Sequence, residues 1–186
     1  MDNLSTLRSD CAKKQRRGLH FILASIVIWA GITVVHITNL DITTRNLLTF
    51  CFSAPLLPLA FLISKLLMID FQGKSNPLTS LGIYLSFAQI PYLLIAMWVF
   101  AAVPDKMLMV YTIIFGAHLL PYSWLYQSRS YLFFSIFIPL LALGVGLYCS
   151  PYWLAVIMLS VEIVFSCTLY VETKITHQST PSTSTT

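Results

Sequence analysis

Six apolar runs, each close to the length of a bilayer crossing, constrain this chain more than any other feature. They cover residues 18–37, 46–68, 78–101, 107–125, 130–148 and 152–171. A hydrocarbon core of about 30 Å takes about 20 residues at 1.5 Å of helical rise each. Backbone left unpaired in lipid costs several kcal/mol per group, so every run must be helical. The links are short, which makes consecutive helices antiparallel neighbours. The reading is an all-α, polytopic membrane protein, a six-helix transmembrane bundle. Composition agrees, since charged residues make up 10% of the chain against about 25% in a soluble domain.

The basic residues encode an orientation. With the N-terminus inside, the cytoplasmic segments and adjoining helix ends hold Arg8, Lys13, Lys14, Arg16, Arg17, Lys65, Lys74, Arg129 and Lys174, and the outer loops hold only Arg45 and Lys106. Basic residues concentrate on the cytoplasmic side of membrane proteins, so both termini are expected there. Lys13, Lys14, Arg16, Arg17, Lys65, Lys74 and Arg129 are expected to anchor the bundle at the membrane interface, where long stems snorkel and basic heads meet anionic lipid. The net charge of +4 therefore reads as topology rather than as a nucleic-acid surface. Residues 1–17 form a basic cytoplasmic segment, 18–171 one membrane domain, and 172–186 a Ser/Thr-rich tail expected to be disordered. The first run exceeds the 7–15 residues of a signal-peptide core, so it reads as a retained span.

Three polar side chains then share one depth. Counted along their helices, Glu162, His118 and Gln89 each lie about 15–16 Å from a membrane face, near the midplane. Each has companions at helical spacing: Ser86 and Tyr92 flank Gln89, Tyr122 follows His118, and Ser166 follows Glu162. A carboxyl at a helix centre costs up to about 3 kcal/mol on insertion, so these faces should turn inward. Glu162 and His118 are expected to be partners, as a neutral hydrogen-bonded pair or an ion pair. Intramembrane ionisable groups mark functional sites, and transporters place substrates at the midplane. The plainer alternative is helix-to-helix glue.

Prolines Pro55, Pro58, Pro91, Pro121 and Pro139 fall inside the runs, where each can kink a helix and free a carbonyl. Pro-Tyr recurs at Pro91, Pro121 and Pro151, but the three sit at different depths and make no structural repeat. Ala142, Gly144 and Gly146 read as a small-residue packing surface. Cys11, Cys51, Cys149 and Cys167 lack metal-ligand spacing and read as free and buried, with a Cys51–Cys149 disulfide the alternative. His20 and His36 read as interfacial. No GxSxG, HExxH or Walker motif is present, so neither an enzyme, a metal nor a cofactor is expected.

The stretches ISKLLMIDF (63–71), NPLTSLG (76–82), GAHLLPYSW (116–124) and SYL (130–132) resemble a family of small bacterial multi-span membrane proteins catalogued as a domain of unknown function. The resemblance implies a bacterial cytoplasmic membrane location and places His118 within a family motif. It implies no activity, and Glu162 lies outside the resembling segments. The function expected is a small transporter-like or solute- or proton-sensing protein, with an accessory subunit as the second reading. Its partners would be the lipid bilayer and a small solute or proton, with a homo-oligomer left open.

Overall fold

The structure is a computed structural model that describes residues 2–69 and 76–178. Among these residues all regular structure is helical, in ten helices and two short 3-10 turns. Helix α1 (Asp2–Lys14) precedes a 3-10 turn at Arg16–Gly18 and then α2 (Leu19–Ile37). Next come α3 (Ile42–Ser53), α4 (Leu56–Leu66), α5 (Pro77–Phe87), α6 (Ile90–Ala102), α7 (Met107–Ala117), α8 (Leu120–Leu125), α9 (Arg129–Tyr148) and α10 (Pro151–Gln178). Five helical stretches are long and apolar enough to cross a membrane, and a sixth is added if α3 and α4, bent by 41°, count as one.

Local chemistry starts the helices. Asp41 accepts from Thr44 N at 2.8 Å, Asn76 from Leu78 N at 2.9 Å and Ser128 from Tyr131 N at 3.4 Å, each answering an N–H that the first turn leaves unpaired. Between α1 and α2 the chain reverses through Arg16, Arg17 and Gly18 at φ of 44°, 53° and 72°. A side chain at Gly18 would meet the Tyr126 ring at 2.9 Å and the Tyr131 hydroxyl at 3.0 Å, so close approach and left-handed backbone both require glycine here.

Three of the expected spans are interrupted, the first by a 41° bend and the other two by a lapse in the α-helical hydrogen bonding at residues whose φ and ψ stay helical. Helix stops at Ala54–Pro55, at Ala88–Gln89 and at His118–Leu119, in each case at or just before Pro55, Pro91 or Pro121. A proline removes one ladder donor and its ring crowds the preceding turn, and the first turn of a new helix is where it is tolerated; Pro91 and Pro121 both sit there. Pro139 breaks nothing, and α9 runs through it. Opposite it lies Gly116 of α7, where a Cβ would fall 2.5 Å from the Pro139 ring and 2.7 Å from Ile138. The glycine gives the ring room, and α7 and α9 pack closely there.

The centre of the molecule is α2 against α10, with α7 and α9 alongside. The apolar window of Arg16–Ile37 is 61% buried, whereas that of Pro77–Ala102 is 11% buried; α5 and α6 form an edge. Ala142 and Gly146 pack inward, the latter on Met109, but nothing lies within 4 Å of a Cβ at Gly144, which leaves the expected small-residue surface.

Several expectations need correction. Helix α10 continues past Val171 to Gln178, so the start of the expected disordered tail is helical; residues 179–186 lie outside the described ones. All four cysteines are free, and only Cys11 is buried; burial pushes its thiol up to about 11. His20 and His36, at opposite ends of α2, are 0% and 2% exposed, inside the helix packing, and His36 Nε2 bonds the Thr49 hydroxyl at 3.2 Å. Of the expected anchors, Lys14, Arg16, Lys65 and Arg129 are exposed and Lys13 half-buried, while Lys74 lies outside the described residues. Arg17 is buried and pairs with Glu172. The left-handed turn at 16–18 aims it into the bundle instead of at the surface.

Candidate functional site

The three helix breaks converge. A cavity of about 390 Å³ is lined by Ser53, Ala54 and Leu56 at the first break, by Ser86, Gln89 and Ile90 at the second, and by Phe115 just before the third. A narrower pocket of about 70 Å³ continues from it past His118, Leu119, Tyr122 and Tyr131, sharing Ser25, Leu56, Ser86, Gln89 and Phe115 with the main cavity. Most of the wall is apolar and aromatic, with a few hydroxyls and one amide, as small-molecule sites usually are.

Broken backbone supplies the polar geometry. At the third break Leu119 N turns to Gly116 O at 3.1 Å, so Phe115 O loses the amide a continuous helix would give it. His118 Nδ1 takes that place. At the second break, Ser86 Oγ and Tyr122 Oη bond each other at 2.7 Å, and Tyr122 also donates to Gly82 O at 3.1 Å, tying α5 to α8. At the first, Tyr111 donates to Ser53 Oγ at 2.7 Å, which in turn donates to Thr49 O at 2.7 Å. A carbonyl freed from the helical ladder is tolerated where it meets a side chain, lines a cavity or is buried in protein.

Glu162 is wholly buried on α10, and Ser166, on the same face, is 7% exposed. The expected Glu162–His118 partnership does not form. His118 is committed to its own backbone, and Glu162 Oε2 instead meets the hydroxyl of Ser25 on α2. Glu162 Oε1 has no hydrogen-bond partner among the described residues. Ser25 lines both parts of the cavity, so it stands between Glu162 and the open space. It was not singled out in the sequence because a lone serine in an apolar run has no distinguishing pattern, and its partner is 137 positions away.

The remaining expected residues divide between two sides of one wall. Ser86 and Tyr122 face the inner cavity. Tyr92 is 56% exposed and lines a separate groove of about 380 Å³ with Leu85, Ala117 and Pro121. Gln89 and His118 line both the groove and the inner pocket. Thus Gln89, His118, Ser86 and Tyr122 gather around one opening, while Glu162 reaches it through Ser25 and Tyr92 faces away.

Where the turn before α2 meets the later turns of α10 lies a second polar cluster, unsuspected from the sequence. Glu172 on α10 pairs with Arg17, accepts from the Ser128 hydroxyl at 2.7 Å and accepts from the backbone amides of Arg129 at 3.0 Å and Ser130 at 3.4 Å. Helix N-termini favour negative charge, and this carboxylate also ties the turn before α2 to α10. Helix α1 closes the same end. Arg8 donates to Trp124 O at 2.9 Å and lies 4.4 Å from the Trp124 ring centroid, and Asn76 donates to Leu7 O and to Asp10.

No candidate metal cluster of three or more His, Cys, Asp or Glu occurs among the described residues. No curated protein and no solved structure matches the chain. The model of a family of unknown function, DUF7010, matches residues 4–172, so the chain belongs to that family.

Proposed function

We propose that this is a six-crossing protein of the bacterial cytoplasmic membrane, both termini inside, that binds a small solute at the midplane and transports or senses it. The observation that carries the reading is the convergence of three helix breaks on one cavity beside a fully buried carboxyl. Interrupted helices are how membrane proteins bring polar backbone and side chains to a solute at mid-depth. Gln89 and His118, at two of the breaks, stand between the cavity and the outer groove, where small movements of half-helices would open or close access. The distribution of Lys and Arg supports the orientation.

One observation favours an accessory role instead. The edge formed by α5 and α6 buries little of its apolar surface, and a partner subunit could cover it as well as lipid could.

The two readings separate by water access. In a protein with its four cysteines replaced, a cysteine introduced at Leu56 should react with a small charged methanethiosulfonate in native membranes. A cysteine at Leu140, 65% exposed on the apolar outer surface, should not. An unreactive Leu56→Cys would mean a sealed interior and would favour the accessory reading.

A further inference from the structure

The chemistry of the cavity wall narrows what the solute can be. Trp29, Phe50, Tyr111 and Phe115 line the main cavity together. Their rings form a connected wall, with centroids 6.1 Å apart for Trp29–Tyr111, 5.9 Å for Trp29–Phe115 and 6.3 Å for Phe50–Tyr111. Among the described residues, no Lys or Arg lines either part of the cavity. Glu162 lies one hydrogen bond behind the wall, on Ser25, and an aromatic wall beside an acid suits a positive charge carried on an apolar body.

Glu162 itself needs a positive charge or a proton. It is fully buried, and no ion-pair partner is found for it among the described residues. Tyr111 on α7 and Tyr131 on α9 lie near it, and both are phenols, uncharged at neutral pH. His118 is engaged with Phe115 O, and Arg17 with Glu172. An unpaired buried carboxylate is too costly to persist, so the site holds either a proton or a cation.

Ser25 has the geometry to pass between these two states. Its Oγ lies 2.8 Å from Ile22 O and also within hydrogen-bond reach of Glu162 Oε2, yet a hydroxyl carries one proton. With Glu162 protonated, the carboxyl donates to Ser25, and Ser25 donates to Ile22 O. With Glu162 ionised, Ser25 turns its proton to the carboxylate. Both arrangements use the same atoms.

We infer that the cavity takes a hydrophobic organic cation, a substituted ammonium, which it binds against Trp29, Phe50, Tyr111 and Phe115 in exchange for the proton of Glu162. The inference rests on the solute-binding reading above. The exchange conserves charge: the O–H bond of Glu162 breaks, its proton passes by Ser25 and the cavity to water, and the cation takes its place as counter-charge. A lipid-soluble cation could also approach through the groove beyond Gln89 and His118.

The test compares phenyltrimethylammonium with tert-butylbenzene, its uncharged isostere, on the purified full-length protein in detergent micelles. Thermal stabilisation reports binding of each, and a soluble pH dye in weak buffer reports proton release. The cation should bind saturably, about tenfold or more tighter than the isostere, and release one proton per site. Glu162→Gln should abolish the release and reduce the preference for charge to what the aromatic wall alone provides. Equal stabilisation by both ligands without proton release would overturn the inference while leaving a solute cavity in place. Stabilisation by neither would overturn the cavity reading as well. The wild-type comparison stands by itself if the variant fails to fold.

Discussion

Helix α10 carries two carboxylates ten residues apart, about 15 Å along one helix, and their surroundings could hardly differ more. Glu172 has a guanidinium, a hydroxyl and two backbone amides. Every direction in which it can accept is used, and its position is explained by what it ties together. Glu162, deeper and wholly buried, has one serine hydroxyl and an oxygen with no partner. Architecture accounts for the first carboxylate. It does not account for the second, and an incompletely satisfied buried acid beside a cavity is where function is to be sought.

The contrast predicts unequal responses to mutation. The largest should come from Glu172→Ala, which takes the carboxylate away from Arg17, whose side chain is 9% exposed, and from the amides at the start of α9. Losing one partner of a buried pair costs about 3 kcal/mol or more, to be read as a drop in unfolding temperature in detergent. If Glu172→Ala were as stable as wild type, the clamp would be ornamental and the contrast would collapse.

Next should come Ser25→Ala. It removes the one hydrogen bond of Glu162 and leaves both oxygens buried without a partner, a loss of about 1–3 kcal/mol. Glu162→Leu should do less, under about 1 kcal/mol, because Ser25 still has Ile22 O and no buried group is orphaned. The double variant should then recover most of the Ser25→Ala loss. A Glu162→Leu as damaging as Glu172→Ala would mean that both acids are structural.

The smallest effect concerns α1. Asp10 is held below its ordinary value of 3.8 chiefly by the Asn76 amide, with Lys14 adding to it. A depressed carboxylate contributes stability that is present above its unfolded value and lost as pH falls through the lower, folded one. The contact of α1 with the start of α5 should therefore hold throughout the neutral range and loosen only below about pH 4. Emission from Trp124, against which Arg8 packs, reports it. Loosening near pH 6 would point to another group.

How much of this was legible in the sequence follows from the range of the interactions. The apolar runs announced the helices, because length and hydropathy are local properties, and Asn76 with Pro77 announced the start of α5. Counting residues along the helices put Gln89, His118 and Glu162 in one layer; Gln89 and His118 do line one pocket, with Ser86 beside Gln89, and Glu162 meets it only through Ser25. Which prolines interrupt a helix was not legible: Pro121 sits at an interruption, and α9 runs through Pro139, where Gly116 on α7 leaves room for the ring. The partner of Glu162 was misread for a similar reason. Residue counting puts His118 at its level, but the interruption at His118–Leu119 offers the imidazole an acceptor in its own backbone. Arg17 looked like one of a basic cluster at the membrane edge. Only the left-handed turn through Arg16–Gly18 directs it inward to Glu172.

Carbodiimide modification of the two acids in one sample tests the central contrast most directly. Native membranes would be treated with a hydrophobic carbodiimide, which attacks protonated carboxyl groups in apolar surroundings, and the modified peptides of α10 quantified by mass spectrometry. The account predicts adducts at Glu162, diminished by prior addition of phenyltrimethylammonium, and none at Glu172. Adducts at Glu172 with Glu162 untouched would contradict it.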